Sequence, residues 1–468
     1  MARATCLLVL LYNSRTNSDP GTYLTMRIIV VGAGIAGLSL AITLSQAGYD
    51  VQVVESAPQL AELGAGIQMT PQAVKYFYQW GLKEDIRAHS SMLQQTFVRD
   101  HRNDDPIGVL DVADMENQYG APYIVLHRAT LHDILHKHAI RSGAKILLDS
   151  KVIEYDFDKG AIWLKNGRTI EADLVIAADG INSFARSRLL KDADPASQPT
   201  GWAAFRMMAE VSKIKEHPEL TELGIGNSEN SNFWIAPDVS CMTYQIKGAT
   251  MLNTVLSHRD TVDTTTMSYD EHKEIVKELF KDFSPIVQKL LDISLPKIVN
   301  YPVYAVPPLQ SWTHPSGHFT LAGDAAHAMA FYLSMGVSLA VEDAVSLAAA
   351  LDLACPNRSD VPEPNQLKAA LSVFENVRKK RTTAVQRASL RGGDSYHVPA
   401  GKEREALHNV IKNANEIIEV PIEDLHDAAE IEDEISAAVG GMMNRKTRDW
   451  CYGYDAIEDI KATWHSNN

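Results

Sequence analysis

The sequence predicts an α/β protein, a Rossmann-like unit interrupted by a mainly antiparallel β-sheet and followed by C-terminal helices. Three observations predict it. Ile28 to Val31 are four β-branched apolar residues, followed at once by Gly32-Ala33-Gly34-Ile35-Ala36-Gly37 and a small, apolar run to about Ala47. That is a buried parallel strand turning sharply into a helix. Two later apolar runs also end in a glycine beside an acid, Asp179-Gly180 after "ADLVIAA" and Gly323-Asp324 after "HFTLA". Between them, residues 202–211, 232–236, 241–247 and 250–256 alternate like strands with one covered face.

The first unit carries its chemistry in its spacing. Gly32 permits the tight turn, Gly34 lets a pyrophosphate approach the backbone, and Gly37 lets helix and strand pack closely. The helix then offers unbonded N–H groups and a positive dipole end. Gly48 stops it, and Val51 to Val54 form a second strand leading to Glu55, 23 residues beyond Gly32. An acid there is placed to accept hydrogen bonds from a ribose.

The chain has 468 residues, 45% apolar and 22% charged, enough for two domains or one α/β domain with an insertion. Its formal charge of −15 excludes an electrostatic footprint for nucleic acid. Cys6, Cys241, Cys355 and Cys451 form no CxxC or His-spaced set, so neither a disulfide framework nor a metal site is expected, and a reducing cytoplasmic setting is. The divisions read as an extension at 1–25, a nucleotide-binding part at 26–185, an inserted substrate lobe at 186–315, a returning nucleotide-binding part at 316–355 and a helical region at 356–468. "CLLVLLY" is too short to span a bilayer, and Met26 directly precedes the first strand, so 1–25 reads as disordered or artefactual, with a weak signal or membrane-targeting role as the lesser alternative, and no stable membrane insertion is expected.

After Glu55, Ala65 and Gly66 belong to a second glycine-rich loop ahead of a helix through Tyr76 and Trp80. Thr130 and Asp133 predict a capping box opening a helix that Gly143 stops, with Arg128 just before it. "KVIEYDF" and "AIWL", with Asn166-Gly167 as the turn, predict an antiparallel insert. Ser268 and Glu271 predict a capped helix to about Phe283. A helix is expected from about Gly336 to Leu353, a Pro-containing linker at 355–364, and a long helix over 365–392 whose Lys379, Lys380 and Arg381 form a solvated face. The acidic stretch 416–434 reads as surface.

An acid ending the returning strand can hydrogen-bond a polyol arm, because Gly323 keeps the backbone close. The helix near Gly336 then points its N-terminus at the same place, where the Gly336 and Val337 N–H groups favour a negative charge.

With these motifs in order, the sequence resembles the class A FAD-dependent aromatic monooxygenases of the para-hydroxybenzoate hydroxylase fold, nearest the fungal salicylate-hydroxylase-like branch. The match covers roughly 26–355, with "RDWCYGYDA" in support. The resemblance implies that Glu55 and the glycine loop hold the ADP part and that Arg128 in "LHRATL" contacts FAD. It also implies that Asp179-Gly180 serve FAD and NAD(P)H, and that Asp324 in "AGDAAHAM" holds the ribityl chain. It implies reduction by NADPH or NADH, reaction with O2 to a flavin C4a-hydroperoxide, and attack by a small aromatic substrate, phenolic or polyketide-like, in fungal secondary metabolism. A homodimer is compatible with it. Arg206 in "WAAFRMMAEV" and Tyr244 in "CMTYQIKG" match catalytic residues of dearomatising members. Where the family has "P…GQG", this chain has Ala328, Phe331 and Met335-Gly336. Alternatives are an FAD-dependent epoxidase or decarboxylating hydroxylase and, more distantly, a Rab-escort-like binding protein without catalysis.

Overall fold

The computed structural model describes residues 25–60, 66–227, 229–356, 363–416 and 428–467. Ala65, most of the 1–25 extension, the centre of the 355–364 linker and much of the acidic stretch lie outside them.

Strands are numbered in chain order. The nucleotide-binding sheet comprises β1 (Arg27–Val31), β2 (Asp50–Val54), β8 (Lys145–Leu147), β12 (Leu174–Ala177) and β18 (Phe319–Leu321), all parallel, in the order β18-β12-β1-β2-β8. β1 and β12 occupy the middle and are buried along almost their whole length, which is why both read as unbroken apolar runs. β18 arrives from almost 150 residues downstream and docks beside β12, with Val175 opposite Phe319. The expected return of the chain to its first fold is therefore a strand pairing.

A second, seven-stranded sheet contains β5 (Gln95–Asp100), β6 (Pro106–Asp111), β13 (Gln198–Glu210), β14 (Asn230–Ile235), β15 (Val239–Ile246), β16 (Met251–Arg259) and β17 (Val299–Ala305), ordered β17-β13-β16-β15-β14-β5-β6. All neighbours are antiparallel except β14 with β5. β5 and β6 thus come from ahead of residue 186. One face packs Phe205, Leu252, Leu256, Trp234 and Cys241 beneath the helices Tyr269–Leu279 and Pro285–Ile293. The other face carries Ala204, Tyr244, Val255 and Phe233.

Two small sheets complete the strands. β3 (Gly66–Met69), β7 (Ile124–His127) and β4 (Ser91–Met92) form one, set against β15. The other holds β9 (Val152–Asp156), β10 (Ala161–Leu164) and β11 (Thr169–Glu171), with Gly167 at a φ of 84° in the expected hairpin.

Three local readings need correction. The helix Arg128–Arg141 begins two residues before Thr130, with His127 at its N-cap and no side-chain cap, so Thr130 and Asp133 form no capping box. The Ser268 capping box is present, but its helix stops at Leu279 and a second one starts at Pro285, because Ser284-Pro285 supplies a fresh cap and N1 proline. The long helix runs Pro364–Tyr396, and Arg381 on it is buried at 2% exposure instead of solvated. Glu342 on a facing helix, together with the Trp450 and Cys451 carbonyls, accounts for that burial.

Candidate functional site

The glycine turn is shaped by what lies behind it. Gly32 has a φ of 101°, and a Cβ there would stand 2.5 Å from the Ala178 carbonyl oxygen; one at Gly37 would stand 1.9 Å from that of Gly32. Neither position admits a side chain. At Gly34, by contrast, nothing lies within 4 Å of the Cβ position. Gly34 is also the N-cap of the helix Ile35–Gln46, which has no side-chain cap. A closed back and an open front are what a phosphate-binding turn requires.

Glu55 does more than end a strand. Its Oε2 accepts the Ala33 N–H at 2.8 Å, and its Oε1 accepts the Ala57 N–H at 2.8 Å. His132 Nε2 donates to the Ala33 carbonyl at 2.7 Å. The loop is gripped from both sides; Oε1 also accepts the Ser56 hydroxyl at 3.0 Å, so Oε2 is the Glu55 oxygen that keeps a lone pair for a further donor.

The Gly-Asp turn lies against this loop. Gly323 has a φ of 61°, and a Cβ there would stand 2.6 Å from the Ala36 Cβ. Asp324 is exposed by surface area although protein encloses it closely, as befits a carboxylate on the floor of a cleft. That enclosure raises its pKa above the usual 3.8, against the opposing pull of His327 and Arg128. Arg128, exposed at its helix entrance, therefore faces the same cleft. Asp179 is committed differently: it accepts from Ser183 Oγ at 2.5 Å and the Ala185 N–H at 3.1 Å, anchoring the helix Phe184–Leu190. Burial raises its pKa as well, and these hydrogen bonds oppose the rise. Gly180 beside it has a φ of 82° and open space at its Cβ position.

The helix Gly336–Ala354 packs on Ile35–Gln46, and it too has no side-chain cap and nothing within 4 Å of the Gly336 Cβ position. Two uncapped helix N-termini with open glycines, and a carboxylate on the turn that meets the first of them at Ala36, match an elongated ligand with a diphosphate and a second anionic group. FAD is such a molecule.

On the facing sheet, Tyr244 is 3% exposed and Arg206 half-buried. Burial raises the Tyr244 pKa, and the charge and hydrogen bond of Arg206 pull it back. The guanidinium of Arg206 also stands 5.6 Å from the Phe331 ring centroid. Gly66 closes the junction: a Cβ would stand 2.6 Å from the Tyr244 ring, and its N–H donates to Asn253 Oδ1 at 3.1 Å. Gly66, Arg206 and Tyr244 are thus brought together, with Gly66 against the phenol ring.

Sequence reasoning missed the support beneath the Gly-Asp turn. Asp343 Oδ2 accepts the Gly323 N–H at 2.8 Å and pairs with His327 Nε2 at 2.6 Å, while its Oδ1 accepts Arg378 Nε at 2.9 Å. Arg378 Nη1 also reaches Glu342 at 2.7 Å, and Arg381 Nη2 donates to Glu342 at 3.1 Å and the Cys451 carbonyl at 2.8 Å. Burial would raise both carboxyls, but Arg381 and Arg378 hold Glu342, and His327 and Arg378 hold Asp343, below their usual values. The available signal was an adjacent acid pair in an apolar helix, matched by two arginines three residues apart.

Known proteins resemble this chain over most of its length. Residues 25–360 match the family described as FAD binding domain. The FAD-dependent monooxygenase OpS4 of Beauveria bassiana (strain ARSEF 2860) is 29% identical over 92% of this chain and 96% of its own. The 3-hydroxybenzoate 6-hydroxylase of Polaromonas naphthalenivorans (strain CJ2) is 28% identical over 82% and 91%. The crystal structure of CtdE with FAD and a substrate covers 94% of this chain and 98% of its own at 22% identity and a TM-score of 0.73, a likeness of fold.

Proposed function

The chain belongs to the FAD binding domain family and is an FAD-dependent monooxygenase, and on that premise we propose that it hydroxylates a small phenolic or polyketide-like aromatic compound. One observation carries the reading: the Gly323–Asp324 turn meets the first glycine loop at Ala36, and the chain that follows the turn brings Phe331 against Arg206 of the substrate sheet. FAD held by these residues would supply the redox chemistry, with NADPH or NADH as the two-electron donor and O2 as the source of the inserted oxygen atom, its second atom leaving as water.

The protein's own groups have separable tasks. The Gly34 turn and the N-terminus of Ile35–Gln46 receive the diphosphate, Glu55 fixes that loop and faces the ribose, and Arg128 adds a cation. Asp179-Gly180 border the same cleft, where the nicotinamide donor is expected to approach. Asp324 accepts hydrogen bonds from the ribityl hydroxyls. The Gly336 and Val337 N–H groups favour negative charge on the ring, an effect of up to roughly 2 kcal/mol at a partly buried helix end. Tyr244, kept protonated by burial, donates to a substrate oxygen, and Arg206 keeps that oxygen ionised. An ionised phenol is the electron-rich partner that hydroxylation needs.

Among the described residues no helix is long and apolar enough to cross a membrane. We place the enzyme in the cytoplasm, where the buried thiols of Cys241, Cys355 and Cys451 stay reduced.

The test is NADPH and NADH oxidation stimulated by a panel of phenols, with product mass measured. A product heavier by one oxygen atom supports hydroxylation. An epoxide or a product that has lost carbon dioxide redirects the chemistry, and a colourless protein that takes up no FAD overturns the reading.

A further inference from the structure

Between Phe331 and Gly336 the chain must connect the Gly-Asp turn to the helix Gly336–Ala354. It does so with Ser334 at a φ of 55°, a left-handed conformation uncommon outside glycine and asparagine. Such a residue persists where its surroundings hold it. Here the holder is Gln68 on β3. Its Oε1 accepts the Ser334 hydroxyl at 3.0 Å and the Tyr123 hydroxyl at 2.5 Å. Its Nε2 lies 3.3 Å from the Met242 sulfur. A thioether accepts and never donates, so the amide orientation is fixed chemically: nitrogen towards Met242, oxygen towards the hydroxyls.

The position of this side chain gives the contact its consequence. Met242 lies on β15 two residues before Tyr244 and on the same face of the sheet. Ser334 lies two residues before Gly336, whose N–H opens the uncapped helix. One amide therefore touches the loop on the cofactor side and the strand on the substrate side.

We propose that Gln68 is a positioning residue that holds the 331–336 loop in register with the substrate sheet, and so sets where the Gly336 and Val337 N–H groups stand. The proposal rests on the reading that these groups face the flavin ring. Gln68 contacts no reacting atom; it acts through Ser334. Its loss slackens the loop, moves the N–H groups from the charge that reduced flavin carries, and disfavours reduction.

The test uses the FAD-loaded protein and Gln68→Leu, Ser334→Ala, Tyr123→Phe and the Gln68→Leu/Ser334→Ala pair, titrated with dithionite beside a reference dye. In Gln68→Leu the ratio of reduced to oxidised flavin at a given dye ratio falls about tenfold, while FAD stoichiometry and Tm stay near wild type. Ser334→Ala shifts the ratio the same way, and the pair shifts it no further than Gln68→Leu alone. A Gln68→Leu ratio within about twofold of wild type, or additive effects in the pair, overturns the proposal. Should Gln68→Leu fail to fold, Ser334→Ala and Tyr123→Phe decide it: wild-type ratios in both sink it. Wild-type protein that holds no FAD defeats the functional reading itself, a different and recognisable result.

Discussion

At Arg206 and Tyr244 a cation and a phenol share one corner of a sheet, and among the described residues the charge that acts on Tyr244 is that of Arg206 and not of an acid. Arg206→Ala and Tyr244→Phe are expected to lower turnover by about a hundredfold or more, with FAD still bound and its visible spectrum retained. Steady-state rates beside flavin absorbance check this, and near-wild-type rates in both variants remove the assignment. Asp324 makes a prediction in pH. Its pKa is raised in the protein alone, and hydroxyl donors favour the ionised form, so FAD affinity rises with pH until Asp324 is fully ionised. Affinity should therefore decline as pH falls towards 3.8 from above, and Asp324→Asn should flatten the profile; fluorescence titration of apo-protein measures both. Asp324, like Asp179, was legible because it follows an apolar strand beside a glycine. Gln68 was not, since a glutamine in a strand looks like any edge residue until its neighbours are known.

The elements explain why the Gly-Asp turn sits where it does. Gly336–Ala354 reads as an apolar helix, yet it carries Glu342 and Asp343 at 1% exposure or less, answered by Arg378 and Arg381 on Pro364–Tyr396. Periodicity placed Arg381 on a wet face because it registers the helix and not the acids packed against it. Replacing one member of such a set leaves a buried charge uncompensated, at about 3–5 kcal/mol. Arg378→Met should lower the urea midpoint accordingly and also weaken FAD binding, because Asp343 anchors the Gly323 N–H as well. Loss of stability with unchanged FAD affinity would show that the two roles are separate. Other boundaries were legible for local reasons: Ser268 caps its helix through its own side chain, whereas the start at Arg128 is set by β7 running straight into the helix.

For the molecule as a whole, the order of events on acidification follows from two opposite shifts. Asp324 takes up its proton above the usual 3.8, whereas Glu342 and Asp343 hold theirs off below 4.5 and 3.8. A depressed carboxyl contributes stability that is present above its unfolded pKa and is lost as pH falls through the folded one. Flavin release, read by fluorescence, should therefore precede the loss of far-UV circular dichroism; coincidence of the two curves would contradict it. The parallel unit and the alternating sheet were visible at this scale, because period and glycine placement are local signals. The long-range partnerships, β18 beside β12 and β5 beside β14, were not, since nothing within a strand names its neighbour.

That last pairing bears on how such enzymes can be recombined. A cassette cut at 198–305 and moved into a relative would leave β5 and β6 behind, so a transplanted β14 would find a foreign edge to zip onto. Chimeras should exchange the hairpin 95–111 together with the later strands, as two grafts in one molecule.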